Sequence, residues 1–62
     1  MTAEEAVRAH ERDLLALEGV AAVGVGFDEG EEVIVVRGTD PVGVPDELEG
    51  HRVKVEPELR IG

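Results

Sequence analysis

The apolar positions along the chain change their period at Gly19. From Thr2 to Glu18 they recur as Ala3, Ala6, Val7, Leu14 and Leu17, with Leu15 beside them. That is the spacing of one helix face. Thr2-Ala3-Glu4-Glu5 fits a capping box, in which the Thr2 hydroxyl accepts from the Glu5 amide and the Glu5 carboxylate accepts from the Thr2 amide. Glu4 and Glu5 suit the positive end of the helix dipole. Glu4 and Arg8 form a favourable i,i+4 pair. Gly19 is placed to end the helix in a left-handed conformation.

Beyond Gly19 the period falls to two. Ala21, Val23, Val25 and Phe27 point one way, and Val20, Ala22, Gly24 and Gly26 the other. One face of this first strand is bulky and the other nearly bare. Asp28-Glu29-Gly30 predicts a tight turn, with Asp28 and Glu29 in a type I conformation and Gly30 left-handed. Glu31 to Arg37 returns antiparallel. Its centre, Val33-Ile34-Val35-Val36, is a run of β-branched residues between charged ends, and it predicts a strand that is apolar on both faces.

Gly38 to Gly50 is rich in turn formers, with Pro41, Gly43 and Pro45. Pro45 to Gly50 predicts one helical turn, with proline at its start and glycine at its end. Val42, Val44 and Leu48 are expected to anchor this connection to the core. His51 to Glu56 alternates, with Val53 and Val55 on one side and Arg52, Lys54 and Glu56 on the other, which predicts a half-exposed last strand. Pro57 stops it, and Glu58 to Gly62 form a short tail. The whole chain, residues 1–62, then makes one small α+β domain. An N-terminal helix packs on a mainly antiparallel sheet of about three strands, in the order α-β-β-short helical turn-β. The plan is ferredoxin-like but truncated, because the first strand is missing.

A chain of 62 residues buries only about 60% of the surface its unfolded form exposes. Small domains compensate with disulfides, metals or oligomerisation. Cysteine is absent, which removes disulfides and thiolate sites and leaves association as the expected remedy. Fifteen acidic and six basic residues give a net charge of −9. Such a surface repels a phosphate backbone and an anionic bilayer, so neither nucleic acid nor membrane is an expected partner. The apolar runs are too short to span a bilayer. The acidic start, Met1-Thr2-Ala3-Glu4-Glu5, is unlike a secretory leader, and the expected location is cytoplasmic. Five of the six cations are arginine, a composition suited to a high-salt or GC-rich bacterial or archaeal source.

The residues predict no chemistry. Gly24-Val25-Gly26 is not a phosphate loop, because such a loop needs a helix after the glycines, whereas here the helix precedes them. His10 falls at the edge of the apolar helix face. His51 stands beside Arg52 with no partner at ligand spacing. The acidic turn from Asp28 to Glu32 lacks the spacing of a calcium loop. Serine, cysteine and tyrosine are all missing, so the common nucleophile triads cannot be assembled. The carboxylates fall on exposed turns, away from any setting for general acid–base work. No catalytic, cofactor-binding or metal-binding residue is expected, no cofactor either, and the chain reads as a non-enzyme.

Three stretches carry a likeness. They are Leu14 to Gly26, then Val33 to Val36, then Val44-Pro45-Asp46-Glu47-Leu48-Glu49-Gly50-His51-Arg52-Val53-Lys54-Val55. Together they resemble the N-terminal accessory segment that precedes the protease domain in a group of bacterial trypsin-like peptidases. Two places depart from that pattern. Glu18 stands where proline is usual, and Glu49-Gly50-His51-Arg52 replaces an aspartate-glycine-valine-proline run. The likeness covers the accessory segment and not the protease domain, so no catalytic residue is carried over. The resemblance implies a non-catalytic accessory module.

One helix covers one side of a sheet, and the two-sided strand therefore asks for a second cover. The expected function is a small interaction or assembly module that self-associates through the second sheet face. Gly24, Gly26, Ile34, Val36, Val42, Val44, Leu59 and Ile61 are the interface candidates. The bare Gly24 and Gly26 are expected to receive a close neighbour. The alternative is a protease-directed inhibitor or propeptide-like folding aid. Its tail after Pro57 would lie extended in the cleft of a peptidase partner.

Overall fold

Thr2 caps the helix as its sequence requires. In the computed structural model, which describes residues 1–57, helix α1 runs Ala3–Leu15. The Thr2 hydroxyl accepts from the Glu5 amide at 3.2 Å, and the Thr2 amide donates to Glu5 Oε1 at 3.0 Å. Arg8 and Glu4 pair at 3.5 Å on the exposed side. The helix stops at Leu15 rather than Glu18, with Ala16 as its C-cap. Gly19 is left-handed, at φ +85, but it serves the entry into the first strand instead of the helix end. A Cβ there would strike the Thr39 carbonyl oxygen, and one at Gly38 would strike the Gly19 carbonyl oxygen. Only glycine allows these two backbones to touch. The Thr39 amide donates to Gly19 at 2.9 Å, and the Val42 amide to Glu18 at 3.0 Å.

The strands are β1 (Val20–Asp28), β2 (Glu31–Gly38), β3 (Glu47–Leu48) and β4 (His51–Pro57). They form one sheet in the order β1-β2-β4-β3. The α+β plan therefore stands, with four strands instead of three. The sheet is mixed: β1–β2 and β3–β4 are antiparallel, while β2–β4 is parallel, with Ile34 opposite Val53. The extra strand replaces the expected helical turn at Pro45 to Gly50. Its cause is visible in the turns. Glu29 and Gly30 have φ 54 and 80, and Glu49 and Gly50 have φ 51 and 81. Positive φ at both central residues is what a two-residue type I′ hairpin needs. The same Glu-Gly pair thus closes both hairpins, and the first turn is the two residues Glu29-Gly30, not a three-residue type I turn.

Helix α1 lies on one side of the sheet. Ala3, Ala6, Val7 and Ile34 form the core, with Val23, Leu48 and Val53 packed against them. The two alanines let the helix backbone approach closely, and Ile34 is wholly buried. Among the described residues three polar contacts tie the helix and Met1 ahead of it to β2, β4 and the β3–β4 turn. The Ala3 amide donates to Glu32 Oε1 at 3.1 Å, His51 Nε2 meets the Met1 carbonyl at 2.7 Å, and His10 Nε2 meets Glu49 Oε1 at 3.1 Å.

Candidate interaction surface

Turn geometry decides which side chains share a side. With Glu29-Gly30 as the loop, Asp28 stands opposite Glu31, Gly26 opposite Val33, Val25 opposite Ile34, and Val23 opposite Val36. Val23, Val25 and Phe27 therefore lie on the helix side with Ile34 and Val36. The other side carries Ala22, Gly24 and Gly26 from β1, Val33, Val35 and Arg37 from β2, and Arg52, Lys54 and Glu56 from β4. A concavity of about 300 Å³ opens over it. Among the described residues its lining comes from β1, β2 and β4 alone.

The two glycines on this side differ. A Cβ on Gly26 would lie 2.7 Å from Val35 Cγ2, whereas one on Gly24 would meet nothing within 4 Å. The close neighbour expected over the bare strand is therefore, at Gly26, a side chain of the same sheet. Gly24 faces open space. Val33 is 1% exposed although it belongs to the open side. Across this side the Arg52 guanidinium reaches from β4 to Glu31 at 3.6 Å and to Asp28 at 3.9 Å.

Charge is distributed unevenly. Of the cations among the described residues, Arg8 and Arg12 are on α1, while Arg37, Arg52 and Lys54 all border the open side. Arg37 pairs with Glu56 at 3.6 Å. Asp28, Glu31 and Glu56 thus balance these three cations, on a chain whose net charge is −9. Such exposed pairs add little stability. Their effect is to make this side near-neutral while the rest of the surface is acidic.

The predicted interface residues separate. Gly24 and Gly26 are on the open side. Ile34 and Val36 are not: both are 0% exposed and belong to the helix side. Val33 and Val35 take their place, because the two-residue turn fixes the parity of β2. Val42 is 60% exposed in the connection and is no anchor. Val44 is half-buried, and neither valine lines the concavity. Leu59 and Ile61 lie outside the described residues, as does the tail of the inhibitor reading. Among the described residues no group of three histidine, aspartate or glutamate side chains converges on a metal-sized site. No described helix is long and apolar enough to cross a membrane. Comparison of the chain with known protein families, with curated proteins and with solved structures gives no match.

Proposed function

We propose that the chain is a small, non-catalytic interaction module that self-associates, with the open side of its sheet as a contact surface. One observation carries this reading: the side without a helix has an apolar, glycine-bared centre and balanced charges, on an otherwise acidic molecule. Two copies at −9 repel each other over most of their surface, and least where local charge cancels. A dry centre at Val35 with a charged rim at Arg37, Lys54 and Glu56 also follows the usual anatomy of an interface. Nucleic acid and anionic lipid are disfavoured as partners by the same net charge.

The test is mass by sedimentation across a dilution series, with thermal midpoints in parallel. Association stabilises the folded form by mass action, so the midpoint rises with concentration. Moderate salt strengthens association by screening the residual repulsion. Val35→Glu, which buries charge in the apolar centre, weakens it. A monomeric mass and a constant midpoint over about a hundredfold dilution would overturn the reading.

A further inference from the structure

The two edges of the sheet are treated differently. One edge ends in β3, which has two residues, Glu47 and Leu48, next to Asp46 and Glu49. Short length and charge are how natural proteins blunt an edge. The other edge is β1, nine residues long. It has a bulge between Val20 and Ala22 and an acid at Asp28. Between them Ala22-Val23-Gly24-Val25-Gly26-Phe27 contains no charge and no proline. Among the described residues no strand pairs with its outer side, and an edge of this kind is a template for another strand.

The register says which backbone groups are free. A two-residue loop is flanked by a pair that exchanges both hydrogen bonds, here Asp28 and Glu31, and the bonded pairs then alternate. Asp28, Gly26, Gly24 and Ala22 turn their amides and carbonyls toward β2. Val23, Val25 and Phe27 turn theirs outward. The same alternation carried across the sheet turns the Val53 amide outward from β4, where it donates to Asp46 at 2.8 Å. Val25 and Phe27 are also 40% and 74% exposed on the helix side. Free main-chain groups and exposed apolar side chains therefore coincide in the same residues.

We infer that two copies of the chain pair through the outer edge of β1, antiparallel, about a two-fold axis at Val25. In this register Val25 faces Val25 of the partner subunit, and Val23 and Phe27 each face the other residue across the axis. All three outward residues are used, giving six main-chain hydrogen bonds, two for each bonded pair. The side chains that meet on the helix side are all apolar. On the open side Gly24 meets glycine, so nothing clashes. Asp28 meets Ala22, so no two charges of like sign are opposed despite the −9 of each chain. Two four-stranded sheets become one continuous sheet, and their open sides lie side by side. The inference rests on the self-association reading above and adds a second contact, at the β1 edge, to the one proposed on the open side.

The chain has no cysteine, so Val25→Cys reports the register directly. The Cα atoms of a bonded antiparallel pair are about 5.5 Å apart, within disulfide range. Under mild oxidation this variant gives a covalent dimer, while Phe27→Cys does not, its two copies being about 13 Å apart across the axis. Val25→Pro removes an outward donor and leaves the β1–β2 ladder intact. It weakens the dimer about 10- to 100-fold, because two of the six main-chain bonds are lost. Val25→Lys, which opposes two like charges at the axis, does the same if the proline variant does not fold, with far-UV circular dichroism as the folding control. Val35→Glu leaves the Val25→Cys cross-link in place. A dimer that Val25→Cys does not trap, or that Val35→Glu abolishes while Val25→Pro and Val25→Lys spare it, overturns the edge and leaves self-association standing. A monomer at every attainable concentration overturns both.

Discussion

Ile34 and Val35 are neighbours on β2 and nearly the same in chemistry, yet they lie in different surroundings. Ile34 is fully buried among Ala3, Ala6 and Val7. Val35 is half-buried and leans over Gly26. One helix provides one cover, and among the described residues no second element lies on the other side. The helix side is closed by packing, whereas the open side is thinned by glycine and edged by arginine, lysine and glutamate. The first arrangement stabilises the fold. The second leaves a surface that a partner can complete.

The largest expected effect breaks the closed side. Ile34→Ala costs about 2–5 kcal/mol, from lost transfer energy and the cavity left behind. A core this small rarely supplies more than about 3–5 kcal/mol in total, so this variant is mostly unfolded. Ile34→Val, at about 0.5–1.5 kcal/mol, keeps the comparison measurable. Val35→Ala removes two methyl groups that are only half-buried and costs roughly 1 kcal/mol. Urea melts at low protein concentration give both numbers. Equal costs for Val35→Ala and Ile34→Ala would mean that the open side is covered in solution even at dilution.

A smaller effect separates the two glycines. Gly26→Ala places its Cβ 2.7 Å from Val35 Cγ2. Valine is stiff at χ1 and cannot swing away freely, so overpacking costs about 1–3 kcal/mol. Gly24→Ala meets nothing within 4 Å and stabilises by about 0.5–1 kcal/mol through the lost freedom of glycine. Val35→Ala combined with Gly26→Ala recovers most of the Gly26 penalty, because the two residues share one contact. Similar melts for Gly24→Ala and Gly26→Ala would show that Val35 moves aside at no cost.

Much of this arrangement was legible in the residues, and two of the failures share one cause, the length of a turn. The capping box, the helix and the first hairpin follow from local spacing. The two-sided character of β2 was also readable, but its parity was not, because a one-residue change of turn length exchanges the two faces. Taking Asp28-Glu29-Gly30 as the turn puts Ile34 and Val36 on the open side. Taking Glu29-Gly30 puts Val33 and Val35 there. The same dipeptide, Glu49-Gly50, marks the second hairpin, where Pro45 and Gly50 also fit the ends of a helical turn. Repetition of the Glu-Gly pair was the available signal. The parallel pairing of β2 and β4 had no local signal, since it depends on how residues 39–46 cross from one end of the sheet to the other. The ion pairs of Arg52 with Glu31 and Asp28 likewise join strands distant in sequence.

The smallest expected effect belongs to the helix end and sharpens the comparison by being confined to the closed side. The Glu5 carboxyl is held below its ordinary value, first by the Thr2 amide that donates to it and then by the Thr2 hydroxyl. A group whose pKa is lower in the folded chain than in the unfolded one stabilises the fold above its unfolded value. That contribution is lost as the pH falls through its folded value. Glu5→Gln keeps an acceptor for the Thr2 amide but removes the charge that favours the helix N-terminus. The variant is therefore slightly less stable than the parent at neutral pH, and the gap closes once the medium is acidic enough to protonate Glu5 in the folded chain. Because the site is exposed, salt narrows the gap too. Urea midpoints of the two proteins across the acid range measure it. A gap that persists in acid would assign the effect to hydrogen bonding alone. A change in dimer dissociation at neutral pH would show that the helix side, and not only the open side or the β1 edge, takes part in association.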